Sequence, residues 1–269
     1  MKSILIVVIS TFILVASFVW GKPHLISPKN KPILPLSIVH DNAKLQLVNL
    51  DQSKQRPTKH DKFKGSQVAG VNVSVLMSVA SAQGLKPKAL KTALNAYSWA
   101  RNHGKLGNNK NTLTVVDFTL PSYEKRMWVL NLHENKVLMK LYTTQGSGSG
   151  LVYAKRFSNQ SNTKASSLGL YVTSNEYYGG HGKSMRLDGL QKGINDRARI
   201  RNVVIHSAFY ASPEYIMENH RAGRSWGCFA VAQAKKNALL DYIKGGSAFF
   251  AYAPAIENNS ITSQGPISI

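Results

Sequence analysis

The chain has 269 residues, which is enough for one domain of ordinary size with a small annex. It carries 34 Lys and Arg against 13 Asp and Glu, a net charge of +21, and a single cysteine. One cysteine excludes an internal disulfide framework. The positive charge fits either a solubilising basic arm or attraction to a polyanion, such as nucleic acid, an anionic membrane surface or a bacterial cell wall.

The first 21 residues predict a cleaved signal peptide. Lys2 gives a positive start, residues 4–19 are largely apolar, and small residues follow at plausible cleavage positions. The apolar run is short for a membrane span, which needs roughly 20 residues. We therefore expect export to the periplasm or cell wall without a stable membrane span, an uncleaved anchor being the alternative.

Residues 22–70 predict a basic, largely irregular segment. They are rich in Lys, Pro, Asn and Gln, a composition that does not bury enough apolar surface to order itself. A basic segment on an exported protein would suit the anionic surface of a cell wall, so we expect that surface as a partner and no nucleic acid.

Residues 71–254 predict a folded domain, followed by a loose polar tail at 255–269. Leu90, Leu94 and Tyr97 recur at helical spacing in a helix that starts near Pro87 and stops near His103. Alternating or apolar runs between turn residues then predict seven strands, at 113–118, 126–132, 137–143, 168–172, 203–205, 228–232 and 248–252. A second helix is expected at 233–244. The fold class is therefore mainly β (α+β) with a few flanking helices.

A candidate nucleophile and base lie close together in this pattern. His206 follows the apolar run 203–205, and Cys228 follows Gly227 at the start of another apolar run. A thiolate is the reactive form of cysteine, and an imidazole titrates in the range needed to generate it. A small buried hydrophobe is the alternative reading of Cys228. His220 is the rival base.

This stretch resembles the active-site segment of the L,D-transpeptidases, the YkuD-like cell-wall enzymes. His206-Ser207 is followed by Ser225-Trp226-Gly227-Cys228, and Gly223-Arg224 completes the Gly-Arg-Ser-x-Gly-Cys pattern of one murein subgroup. The likeness extends over residues 85–252. It implies a β-sandwich or barrel catalytic domain with a few flanking helices.

The resemblance implies acyl transfer on peptidoglycan stem peptides. Cys228 would attack a stem-peptide carbonyl and form a thioester, which an amine of a second stem or a free D-amino acid would then take. His206 would act as base, oriented by the carbonyl of Ser207. The amides of Gly227 and Cys228 would form the oxyanion hole, and Ser225 would support the turn.

Two family positions differ in this chain. Trp226 stands in place of a histidine, and Ala230 stands where an arginine is usual. We expect Arg224, with Arg221 as a second choice, to supply the missing cation. The expected substrate-binding residues are Arg224, Ser225, Trp226 and Tyr210.

The histidines and the single cysteine do not have metal-ligand spacing, so we expect no metal and no cofactor. Two other functions remain open. One is an L,D-carboxypeptidase that hydrolyses the same bond with water. The other is a non-catalytic basic protein that binds the cell wall through a degenerate copy of the fold.

Overall fold

The computed structural model describes residues 71–263. The predicted signal peptide (1–21), the basic segment (22–70) and the last six residues of the predicted tail lie outside the described residues. Within the described part, no helix is both long enough and apolar enough to cross a membrane.

Within residues 71–263, ten strands form two sheets. The strands are β1 (Thr112–Asp117), β2 (Met127–Asn131), β3 (Lys136–Leu141), β4 (Gln145–Gly146), β5 (Gly169–Gly179), β6 (Gly182–Gly189), β7 (Val204–Ser207), β8 (Arg224–Ser225), β9 (Phe229–Val231) and β10 (Ala248–Tyr252). Eight of them form a mixed sheet in the order β3-β2-β1-β10-β5-β6-β7-β9, and β4 pairs with β8. The pairs β1–β10, β7–β9 and β4–β8 are parallel. The prediction of a mainly β fold with a few helices is confirmed.

The described part of the chain also has five α-helices, which flank the sheets: α1 (Val73–Ala82), α2 (Pro87–Asn102), α3 (Pro213–Asn219), α4 (Gln233–Ile243) and α5 (Ser260–Ser263). Pro87 occupies the first turn of α2, where its missing N–H costs nothing. The apolar face of α2 packs on β1, β5 and β10, and α4 packs on β1, β2, β6 and β7. The sheet therefore buries apolar side chains against helices.

An aromatic cluster fixes the start of β9. Phe229 is fully buried and its ring lies 4.6 Å from that of Phe249 and 6.0 Å from those of Tyr171 and Phe118 (centroid distances). Such offset and edge-to-face contacts add to the stabilisation that burial gives. Because Phe229 is anchored in this cluster, the backbone of the preceding residue, Cys228, is held at the edge of the core.

Arg126 is a buried cation that ties three segments together. Its guanidinium donates to the carbonyl oxygens of Thr143 (3.0 Å) and Leu120 (3.0 Å) and to the side chain of Gln145. Burial lowers its pKa to about 9, while the charge of Asp117 acts in the opposite direction. A buried charge is tolerated only with this many partners, so Arg126 is a structural residue.

Three parts of the chain differ from the sequence predictions. Strand β5 runs on to Gly179 and pairs with β6, which was not predicted, because its outer half is polar and partly exposed. Helix α3 was also missed, although Ser212 caps it and Pro213 starts it. The expected loose tail is wrong for residues 255–263, where Ile256 and Thr262 are buried and α5 packs against α2.

Candidate active site

The predicted nucleophile and base lie on adjacent parallel strands. In the β7–β9 register, Ile205 is opposite Phe229 and His206 is opposite Ala230. Cys228 immediately precedes β9, so it stands nearer to the start of β7 than to the histidine. The two side chains therefore share one edge of the sheet but are offset along it.

The thiol of Cys228 is half-buried and has a partner of its own. Its Sγ donates to the carbonyl oxygen of Asn202 at 3.4 Å. Burial raises the pKa of the thiol, while a backbone hydrogen bond from Val204 and the positive charge of Arg201 act in the opposite direction. At neutral pH the resting side chain is consequently a neutral thiol.

The imidazole of His206 is buried and fixed in one tautomer. Its Nδ1 lies 3.0 Å from the carbonyl oxygen of Ser207, the contact that the family resemblance implies. A carbonyl only accepts, so Nδ1 must carry the proton and Nε2 is left as the basic nitrogen. Burial lowers the pKa of His206, and the neighbouring His181 lowers it further, whereas the Ser207 hydrogen bond raises it.

The structure does not join the thiol to the imidazole directly. Among the described residues, the Cys228 sulfur donates to Asn202 and accepts from the backbone of Val204, and the ring of His206 bonds only to Ser207. The site therefore holds a neutral thiol and a neutral imidazole side by side. For the imidazole to remove the proton, the thiol must first turn away from Asn202.

Ser225 stabilises the turn before the cysteine, as expected. Its hydroxyl donates to the carbonyl oxygen of Cys228 at 2.7 Å and accepts from the amide of Gly227 at 3.1 Å. This corrects the expected oxyanion hole, because the Gly227 N–H is already used inside the turn. The Cys228 amide is left as the remaining donor of that pair.

Gly227 cannot carry a side chain in this turn. Its φ is +122°, and a Cβ there would lie 2.9 Å from the carbonyl oxygen of Ala165 and 3.3 Å from Nη2 of Arg201. Both the backbone conformation and the close approach require glycine.

Gly223 packs against Tyr210. A Cβ on Gly223 would lie 2.4 Å from the Cβ of Tyr210, and the Gly223 amide donates to the Tyr210 carbonyl at 2.7 Å. Tyr210 is half-buried, and burial together with the charge that Cys228 can carry raises the pKa of its phenol. The motif glycine thus holds the predicted substrate-binding tyrosine beside the thiol.

The cation that acts on the thiol is Arg201, which sequence reasoning missed. Its guanidinium donates to the carbonyl oxygens of Ser158 (2.6 Å) and Ala165 (2.6 Å) and to the hydroxyl of Ser167. Burial lowers its pKa, while the charges of Tyr171 and Cys228 raise it. No local sequence pattern links Ser158, Ala165 or Ser167 to Arg201.

The cations proposed from the sequence are placed differently. Arg224 is exposed on β8, and within the described residues its side chain has no hydrogen bond or ion pair. Arg221 bonds to the carbonyl of Ala222. His220, the rival base, is exposed at the end of α3 in a left-handed conformation (φ 52°) and has no recorded contact with Cys228. Arg224 stays a proposal as a substrate contact.

A groove opens beside the cysteine on the Asn202 side. Its volume is about 460 Å³, and its lining comprises Ser161, Asn162, Lys164, Ile200, Arg201, Asn202 and Trp226. Trp226 is 75% exposed, and Nζ of Lys164 lies 4.9 Å from the centre of its indole ring. The groove therefore offers two cations and an aromatic face within reach of the reactive sulfur.

The site has no group of side chains suited to a metal. Across residues 71–263, no three His, Cys, Asp or Glu side chains come together as ligands. The reactive groups of the site are a thiol, an imidazole, backbone amides and cations, and these are the groups that covalent acyl transfer requires.

Comparisons with known proteins agree with this arrangement. A family model described as L,D-transpeptidase catalytic domain matches residues 81–252. No curated protein sequence matches the chain significantly.

Solved structures with a similar fold include three L,D-transpeptidases of low sequence identity. That from Mycobacterium smegmatis is 13% identical, with a TM-score of 0.33 over 53% of this chain and 59% of that one. That from Enterococcus faecium is 16% identical, with a TM-score of 0.34 over 53% and 50%. That from Xylanimonas cellulosilytica is 14% identical, with a TM-score of 0.32 over 74% and 100%.

The chain spans only about three fifths of the length of the first of these structures and half of the second. Because the TM-scores are low, the assignment rests on the match of the family model, which covers more than half of the 269 residues and includes both His206 and Cys228. The chain belongs to the family of L,D-transpeptidase catalytic domains.

Proposed function

We propose that the protein is an exported cysteine L,D-transpeptidase that acts on peptidoglycan stem peptides through a thioester. The observation that carries the proposal is the pairing of β7 with β9, which places His206 and Cys228 on one sheet edge with Nε2 of the histidine left basic. The family match supports the same reaction class.

The first half-reaction forms the acyl-enzyme. The thiol turns from Asn202 toward His206, Nε2 takes its proton, and the sulfur attacks the stem-peptide carbonyl. The Cys228 amide donates to the resulting oxyanion. The C–N bond then breaks, and the imidazolium returns the proton to the leaving amine, which departs as D-alanine.

The second half-reaction uses an amine from another stem or a free D-amino acid. The amine attacks the thioester carbonyl, His206 accepts a proton from it, and the C–S bond breaks with reprotonation of the thiol. Water in place of the amine would give hydrolysis. The acceptor therefore decides between crosslinking, exchange and carboxypeptidase activity.

The groove beside Cys228 supports binding of an anionic peptide. Stem peptides carry carboxylates, and Lys164 and Arg201 both line the groove. Arg201 uses Nη1 and Nη2 for the protein's own acceptors, so we assign the carboxylate contact to Lys164 and the electrostatic support of the thiolate to Arg201.

The decisive experiment is mass analysis of muropeptides after incubation with tetrapeptide-containing cell wall. We expect 3–3 crosslinked dimers from the wild-type protein and none from Cys228→Ala. Tripeptides without dimers would make the protein a carboxypeptidase. A carbapenem, which acylates a reactive thiol, provides a second check. If the muropeptides do not change and no carbapenem adduct forms on Cys228, the protein is a non-catalytic wall-binding protein.

We also propose that the basic segment 22–70 binds the anionic wall. Its positive charge is screened by salt, so wall binding that depends on it should weaken as ionic strength rises. Removal of residues 22–70 should reduce sedimentation with purified sacculi and flatten its salt dependence. Unchanged sedimentation of the shortened protein would contradict this role.

A further inference from the structure

The hairpin between β5 and β6 brings a second histidine to the site. Gly179 pairs with Gly182, so the two-residue turn between the strands is Gly180-His181. Gly182 has a φ of +70°, which glycine adopts without strain. The turn itself is exposed, and it projects His181 toward the end of β7.

His181 contacts both members of the His206-Ser207 pair. Its imidazole stacks on that of His206 with ring centroids 4.3 Å apart and an angle of 25° between the planes. Its backbone oxygen also accepts from the hydroxyl of Ser207 at 3.5 Å. Two independent contacts thus tie the hairpin tip to the base.

We propose that His181 is a positioning residue, which covers one face of the His206 ring and holds it in the plane and charge state of a general base. The proposal rests on the proposed function of His206. It assigns a role to a histidine outside the active-site motif.

The orientation argument starts from the weak restraint on the ring. The imidazole has one hydrogen bond, from Nδ1, and the second torsion of a histidine side chain has broad minima. The cross-strand neighbour, Ala230, has only a methyl group to offer. The stacked ring of His181 therefore supplies the flat surface that fixes the direction of Nε2.

The charge argument follows from the same contact. Two imidazoles 4.3 Å apart repel each other when both are protonated, and the cover of His181 also keeps water from His206. Other charges lie near the hairpin tip: Lys183 is paired with Glu176 (2.9 Å), and Nζ of Lys236 on α4 lies beside Gly182. On the flanking strands, Ala230 opposite His206 carries no charge, and the guanidinium of Arg186, opposite Val204, lies over the ring of Tyr177. Burial is the main cause that lowers the pKa of His206, and the stacked His181 adds to it.

The test uses the full chain with the variants His181→Ala and His181→Phe, and Tyr178→Ala as a control on the same hairpin. Tyr178 is 82% exposed and contacts neither His206 nor Ser207. The first readout is an NMR titration of the His206 ring, assigned by the signal lost in His206→Gln. The second is the acylation rate of Cys228 by a carbapenem, a reaction that uses the base and reports one thiol because the chain has one cysteine.

We expect His181→Ala to move the pKa of His206 upward and to slow acylation at neutral pH by roughly tenfold, which is a small part of the rate enhancement that a positioned base contributes. His181→Phe keeps the stacked face, so its acylation rate should stay near that of the wild type. An unchanged His206 titration in His181→Ala would overturn the proposal. So would a His181→Phe variant as slow as His181→Ala.

These outcomes are separate from a failure of the proposed function. If His206 is not the base, His206→Gln leaves the rate of Cys228 acylation unchanged. The titration of His206 in the His181 variants still reports on the stack in that case. Circular dichroism of each variant shows whether it is folded.

Discussion

The sulfur of Cys228 donates to the carbonyl oxygen of Asn202 at 3.4 Å, and Asn202 presents that oxygen from a left-handed backbone conformation (φ 52°). A hydrogen bond that the thiol donates stabilises its protonated form, because a thiolate has no proton to give. The resting thiol is therefore held neutral and is not hydrogen-bonded to His206, the base that we propose.

This relationship predicts the pH dependence of thiol chemistry. Burial raises the pKa of Cys228 and lowers that of His206, so the resting pair is neutral at pH 7. Alkylation by iodoacetamide should therefore rise steeply only above the ordinary cysteine pKa of about 8.5. Acylation by a carbapenem uses the base and should stay constant down to the ordinary histidine pKa of about 6.5, falling only below it.

Stopped-flow or mass-spectrometric rates over pH 4–10 (roughly the range in which both groups titrate) measure both profiles. The variant Cys228→Ser serves as the control for reactions elsewhere on the chain. A plateau of fast alkylation at pH 5–7, about two units below the ordinary thiol value, would show a preformed thiolate–imidazolium pair and contradict the neutral resting state.

The hydrogen bonds of Ser225 give a second prediction, which concerns both the free energy of unfolding and the rate of acylation. Its hydroxyl bonds to the Gly227 amide and to the Cys228 carbonyl. Ser225→Ala therefore leaves the buried Gly227 amide without its partner, and the Cys228 carbonyl keeps only the longer hydrogen bond from the hydroxyl of Thr144 at 3.4 Å. We expect a loss of about 1–3 kcal/mol in the free energy of unfolding and slower carbapenem acylation. Ser225→Thr, which keeps the hydroxyl, should lose much less of both.

Chemical denaturation and acylation rates of the three proteins provide the comparison. If Ser225→Ala unfolds at the wild-type denaturant concentration and acylates at the wild-type rate, the hydroxyl does not support the turn.

Local sequence patterns were sufficient to predict most of the strands and the helices α2 and α4. Leu90, Leu94 and Tyr97 repeat at helical spacing, and Val203 to Ile205 form a short apolar run between turns. The outer half of β5 could not be found this way, because Glu176 and Tyr177 are partly exposed and their polarity resembles that of a loop.

The site was predictable where the motif is contiguous and not where folding assembles it. His206, Ser225 and Cys228 come from short segments with recognisable chemistry. Arg201 and His181 reach the site through tertiary contacts, with Ala165 in one case and His206 in the other. Sequence spacing contains no information about such contacts. The use of the Gly227 amide inside its own turn likewise required the geometry.

The glycine of the turn gives a third prediction, on folding. Gly227→Ala places a Cβ at φ +122° and 2.9 Å from the Ala165 oxygen, so backbone on both sides must shift. We expect a loss of about 1–3 kcal/mol in the free energy of unfolding. Gly180→Ala is the matched control, since a Cβ there has no atom within 4 Å.

Urea denaturation of both variants shows whether a side chain at position 227 destabilises the protein more than one at position 180. Equal midpoints for Gly227→Ala and Gly180→Ala would mean that the turn relaxes freely. In that event the close approach of Gly227 to Ala165 and Arg201 would not be a constraint on the motif.

The lining of the groove gives the last prediction, which decides whether Lys164 or Arg224 binds the carboxylate of the donor peptide. Lys164 lines the groove next to Trp226, whereas Arg224 is exposed on β8 and does not line it. With a tetrapeptide donor, Lys164→Ala should raise KM several-fold and leave kcat nearly unchanged, because a carboxylate contact away from the reacting bond stabilises ground and transition states alike. Arg224→Ala is the matched variant, because it also removes one exposed cation near the site. It should raise KM less than Lys164→Ala does. A larger increase in KM for Arg224→Ala than for Lys164→Ala would show that Arg224 binds the carboxylate. It would also mean that the groove has no role in donor binding.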